Sequence, residues 1–205
     1  MLISMAENHV QAVADIHLLS WANYEISVKL GIGYLKKFYN QIVSDSNAFG
    51  YVFVHENEVI AYAVGFDNYR KFGANFQKDH YLTLIYSVVT SFFNRKLSIN
   101  AILNIFYDNA KLEFLEHQDY HLGALALKNK YMRTELGKMA VLECIGAVIN
   151  HLHHAGYPSC WGCCDERNVP MQKVLENGFG FVIKGLHKQK GRNIVMFEKK
   201  YSSML

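Results

Sequence analysis

The sequence predicts one mixed α/β domain, a β-sheet of mixed direction with helices packed against it. Three observations carry that prediction. Two helix-period segments precede a paired run of β-branched and aromatic residues. A continuous apolar run, LGALAL, opens directly into a long amphipathic helix. Beyond that helix the chain alternates strand, helix and strand without a linker, because it has only 2 prolines and no Gly/Ser-rich stretch to separate one half from the other. At 205 residues, 51% hydrophobic and 14% aromatic, the chain has the length and the apolar material for one well-buried core.

Taken in order, Val10, Val13 and Ile16 begin the first helical pattern, and Tyr34, Leu35, Phe38, Tyr39, Ile42 and Val43 form the second. Tyr51–Val54, the polar HENE and Val59–Gly65 read as a β-hairpin. From about residue 67 to 120 the strand signal gives way to helical spacing. Tyr81, Leu84, Ile85, Val88, Val89, Phe92 and Phe93 make one helix, and Ile99, Ile102, Leu103 and Phe106 another, which together form a helical insertion. Leu122–Leu127 is too short for a typical helix and continuously apolar, as a strand covered on both faces would be. A helix through Val141, Ile145, Val148, Ile149 and Leu152 stops at Gly156 and Pro158. Ser159–Cys164 reads as a strand, Val169–Asn177 as a helix and Asn193–Lys199 as the last strand.

Several function classes are disfavoured. A net charge of +3 with no block of like charges argues against a nucleic-acid surface. No run of 18 apolar residues and no secretory pattern at Met1–Val10 appear, so a cytoplasmic enzyme or binding protein with no membrane partner is expected. Three of the 4 cysteines crowd into CWGCC, a thiol redox or metal candidate. On a strand, however, Cys160 and Cys163 point to opposite faces, which opposes both a disulfide and shared metal ligation, so no metal site is assigned. Cys144 is single, and His151, His153 and His154 at a helix end read as solvated.

The segment LGALALKNKYMRTELGKMAVLECIGAVINHLHHAG resembles the acetyl-CoA-binding segment of the GNAT superfamily of N-acetyltransferases, where a strand feeds a loop of the form Arg/Gln, two residues, Gly, one residue, Gly/Ala, and then a long helix. Counted from Leu127, Met132 takes the Arg/Gln place, Glu135 the first Gly and Gly137 the second, with Arg133 one place late. Asn168, Val174, Leu175, Glu176 and GFGF resemble the family's second signature, with the Gly-Phe spacing one residue short or one long. IHLLSW, LGIGYLKKFYNQI and EVIAYAVGF are similar to the opening helices and hairpin of a subgroup with a helical insertion before the cofactor strand, so the resemblance spans nearly the whole chain.

The resemblance implies a single N-acetyltransferase domain over residues 1–205 with a splayed mixed sheet, acetyl-CoA as cofactor and transfer of its acetyl group to a small-molecule or protein amine. A homodimer is open. It also implies a backbone oxyanion contact within Leu125, Ala126 and Leu127, and cofactor contacts from Met132, Arg133, Thr134, Glu135, Leu136, Gly137, Lys138, Asn168 and Met171. Physically, the loop delivers unpaired N–H groups and a positive helix end to a pyrophosphate, and Lys138 and Arg133 offset the Glu135 carboxylate. His121, whose type titrates near pH 6.5, is the candidate base, ahead of Glu116 and Asp119. Many family members place a Tyr acid seven residues after the Asn; Leu175 stands there, so a tyrosine acid at that place is excluded. Alternative classes are a non-catalytic acyl-CoA-binding or regulatory protein of the same fold, and a thiol redox or metal protein built on CWGCC.

Overall fold

A computed structural model describes residues 1–21, 26–94, 120–189 and 192–201. The expected helix at Ile99–Phe106 and the weaker base candidates Glu116 and Asp119 lie outside these residues.

Among the described residues seven strands form one sheet in the order β1-β2-β3-β4-β5-β7-β6. They are β1 (Leu2–Ser4), β2 (Ala48–His55), β3 (Glu58–Phe66), β4 (His121–Leu127), β5 (Ser159–Asp165), β6 (Val182–Gln189) and β7 (Arg192–Lys200). The principal helices are α1 (Val10–Ser20), α2 (Ile26–Lys29), α3 (Ile32–Ser44), α4 (Tyr69–Phe93), α5 (Glu135–His154) and α6 (Val169–Lys173). Every neighbouring pair is antiparallel except β4 and β5.

The β2–β3 hairpin turns on Glu56 (φ 48°) and Asn57 (φ 61°), two successive residues in the left-handed region, as a two-residue primed turn requires. Two cores sandwich the sheet. On one face α1 and α3 bury Val13, Ile16, Leu35 and Ile42 against Val52, Tyr62, Val64 and Phe66. On the other, Ala140, Cys144, Ile145, Val148 and Leu152 of α5 lie against Ile60, Ala61, Ala63, Leu122, Cys160 and Phe197. Burial at this density, worth about 25 cal/mol per Å² of apolar surface, is what the helical periodicities encode.

Several features differ from the sequence expectation. Strand β1 has only three residues, and β6 carries Lys184, His187 and Lys188 on an outer strand, so neither shows an apolar run. Helix α4 begins at Tyr69, bends at His80 and leaves Tyr81, Leu82, Tyr86 and Phe93 exposed. The α6 helix passes into a π turn at Val174–Gly178. His151 is only partly solvated: its ring stacks on Phe49 at 3.6 Å and lies 3.6 Å from the Asp67 carboxylate, while His153 stacks on Tyr201 at 4.6 Å.

Candidate active site

The sheet opens where the parallel pair β4–β5, the only one among the described residues, diverges. Strands β4 and β5 share one register pair, His121 with Trp161, and the Trp161 N–H donates to the Tyr120 carbonyl at 3.3 Å. Beyond that vertex they share no further ladder pair. Two residues of β4, Gly123 and Ala124, then face one residue of β3, Val64, between the pairs Gly65–Leu122 and Ala63–Leu125. This β-bulge reverses the alternation of β4: Leu122 packs toward α5, whereas Ala124 and Ala126 pack toward α1 and α3. Gly123 is required there, because a Cβ would lie 2.4 Å from the Phe66 ring.

Past the bulge, Lys128 donates its N–H to Ile60 of β3 at 2.8 Å. Backbone groups of successive residues point alternately to the two sides of a strand. Ala126 therefore turns its N–H and C=O to β3, and Leu125 and Leu127 turn theirs to the open side facing β5. Of the three oxyanion candidates, these two have amides directed into the gap.

The loop after β4 is held from below. The Glu58 carboxylate accepts from Lys128 Nζ, from Lys130 Nζ at 2.6 Å and from the Tyr131 hydroxyl at 3.2 Å, tying the turn at Asn129–Tyr131 to the start of β3. Those two ammonium groups bring the Glu58 carboxyl down to about 2. Thr134 then caps α5, its Oγ1 accepting from the Gly137 N–H at 3.0 Å. The N–H groups of Glu135 and Leu136 are left at the positive end of a 20-residue helix. Met132, Arg133, Thr134 and Glu135 are exposed, and Lys138 Nζ reaches Glu135 Oε1 at 2.5 Å, offsetting the carboxylate at the helix start. Gly137 is buried; a Cβ there would lie 2.0 Å from the Tyr131 carbonyl oxygen. The close approach is thus made by the chain's own backbone.

On the far side of the gap, Asp165 ends β5. Arg167 grips its carboxylate with Nε and Nη2, both at 2.8 Å, and holds that carboxyl well below the usual range. Asn168 caps α6, its Oδ1 accepting from the Met171 N–H at 3.3 Å. The cap accounts for an Asn here in its own right. Leu175 is fully buried with Phe181 and Ile145. The π turn at Val174–Gly178 is followed by the left-handed Gly180 (φ 69°), where the chain turns toward β6.

His121 stands at the vertex, half-buried, with its ring 5.0 Å from Phe66 and 4.9 Å from Tyr69. Cys144 lies on α5 and the other three cysteines on β5. Cys160 is buried and Cys163 exposed on the opposite face, and burial pushes the thiols of Cys144, Cys160 and Cys164 up to about 12. Thiols so protonated at neutral pH are poor nucleophiles.

No protein-family model and no curated protein matches the sequence. Solved structures do. A ribosomal-protein-alanine N-acetyltransferase from Brucella melitensis superposes with a TM-score of 0.61 at 11% identity over 98% of this chain and 99% of its own. A Desulfovibrio desulfuricans protein described under the GNAT family gives 0.55 at 8% over 98% of each chain. A Salmonella typhimurium protein solved with its cofactor acetyl-CoA gives 0.58 at 9% over 100% of this chain and 95% of its own. The architecture is therefore that of the GNAT acetyltransferases. Those likenesses, all at low identity, establish the fold.

Proposed function

We propose that the protein is an acetyl-CoA-dependent N-acetyltransferase that acts on a primary amine. The observation that carries this reading is the β4–β5 pair, which closes only at His121–Trp161 and opens into a gap edged by backbone amides and ending at a helix N-terminus. Acetyl-CoA fits these residues: Leu125 and Leu127 offer amide groups along the gap, and the exposed Met132–Glu135 segment with the Glu135 and Leu136 N–H groups suits a pyrophosphate. Arg133 and Lys138 supply cations, and Met171 and Asn168 border the opposite wall.

When bound, the cofactor supplies an activated acyl carbon and a thiol whose acidity, similar to that of Cys at roughly 8.5, makes it a fair leaving group. His121 is the group proposed to take a proton from the acceptor ammonium, its ring oriented by Phe66 and Tyr69. The Leu125 amide is oriented to donate to a developing oxyanion in the gap. Leu175 is a buried hydrocarbon and returns no proton, so that role falls to water or another side chain.

A second reading, an acyl-CoA-binding protein without turnover, is favoured by Glu135 at the helix start and by Leu175. Release of thiol from acetyl-CoA with a panel of primary amines separates the two. The enzyme reading expects turnover, a loss of roughly 100-fold in kcat for His121→Ala and disappearance of the acid limb of the pH profile. Binding of acetyl-CoA with no thiol released by any amine would favour the second reading.

A further inference from the structure

His121, Trp161 and Glu198 form a row across β4, β5 and β7, because Trp161 pairs with His121 on one side and with Glu198 on the other. All three share one face of the sheet. His121 packs with Phe66 and Tyr69 on the α1 to α4 side. Cys160 and Phe197, the neighbours of Trp161 and Glu198, point into the α5 core, so alternation sends Trp161 and Glu198 the other way. With strands about 4.8 Å apart, the row spans roughly 10 Å.

An open cleft of about 380 Å³ lies at the Trp161–Glu198 end of this row, lined by Tyr120, Pro158, Ser159, Trp161, Glu198 and Lys200, with His121 one strand over from Trp161. That volume lies within the range of small-molecule sites, roughly 300–1,000 Å³. The Glu198 side chain is only 11% exposed, and it holds a primary ammonium, Lys184 Nζ, at 2.9 Å. Lys184 is the extra residue of β6 where its register with β7 shifts between Ile183 and Gly185. Trp161 adds an indole face, which attracts alkylammonium groups.

We propose that this cleft is the acceptor subsite and that Glu198 takes the second ammonium of a short diamine or polyamine, displacing Lys184 while the reacting amine lies at His121. The assignment rests on the acetyl-transfer reading and names its substrate class. The chain's own lysine, a primary alkylammonium already seated on Glu198, shows what chemistry the carboxylate accepts. Lys200, on the same face two residues along β7, is the opposing charge in the cleft, and it favours acceptors that carry a carboxylate.

Three acceptors of similar length decide the matter: 1,4-diaminobutane, n-butylamine and 5-aminopentanoate. The wild type is expected to use the diamine at least tenfold better in kcat/KM than either of the others. Glu198→Gln should reduce that preference at least tenfold, and Lys184→Met should raise kcat/KM for the diamine by removing the internal competitor. Equal use of the three amines, a preference for 5-aminopentanoate, or an unchanged preference in Glu198→Gln overturns the proposal. Calorimetric titration of the same proteins with acetyl-CoA and, separately, with 1,4-diaminobutane distinguishes the two levels. Failure to bind acetyl-CoA sinks the transfer reading, whereas diamine binding that is equally tight in wild type and Glu198→Gln sinks the subsite alone.

Discussion

Gly137 has a structural duty at the start of α5 whatever else it contacts. A glycine at the start of α5 signals close backbone approach, and the sequence invites a phosphate as the approaching group. In the fold the Tyr131 carbonyl already occupies that space, 2.0 Å from where a Cβ would sit. Gly137→Ala must therefore push the turn at Asn129–Tyr131 away from the helix. A loss of about 1–3 kcal/mol in unfolding free energy is expected, measurable as a lower midpoint in urea with unchanged slope. Asn168 follows the same pattern: its Oδ1 caps α6, a role that an Asn before a helix announces by itself. What a single sequence could not show was the 3-10 turn that brings Tyr131 beneath Gly137, because that turn has no apolar period of its own. Leu175, by contrast, was fully legible, since a missing hydroxyl is a property of the side chain alone.

At the scale of elements, the cofactor-side loop depends on an ion cluster that pattern reading does not reach. Glu58 begins β3, 70 residues before Lys128, yet it anchors Lys128, Lys130 and Tyr131. Its carboxyl titrates at about 2 in the fold against an ordinary 4.5, so the folded state favours the charged form. The sign follows: the cluster contributes fully above about pH 4.5, and its contribution is lost as pH falls from there toward 2. Glu58→Gln should flatten the fall in melting temperature over that acid window and weaken acetyl-CoA affinity several-fold at pH 7, with kcat changed little. Titrations by calorimetry and melting curves from pH 2 to 7 check both. Strands β2 to β5 and helices α1, α3 and α5 were legible because each pairs a sustained apolar period with a turn signal. Strand β6 was not, because its charges and bulge at Lys184 break the alternation, and three-residue β1 is too short to display one.

The whole molecule is organised around one topological event, the change from antiparallel to parallel pairing at β4–β5. Helices α1 and α3 cover one face and α5 the other, so the sheet cannot fold flat across the gap without exposing one of its two cores. The order strand, loop, helix, strand announces a parallel crossover, and only the resemblance to the GNAT superfamily adds the expectation of a splayed sheet there. The reversal of facing at Gly123–Ala124, and with it the aim of the Leu125 and Leu127 amides, needed three dimensions, since a bulge is a property of two strands and not of one. Amide hydrogen exchange of the full chain, with and without saturating acetyl-CoA, tests the central claim most directly. The account predicts slowed exchange at Leu125, Leu127, Glu135 and Leu136. Unchanged exchange at all four, or protection confined to β6 and β7, would contradict it.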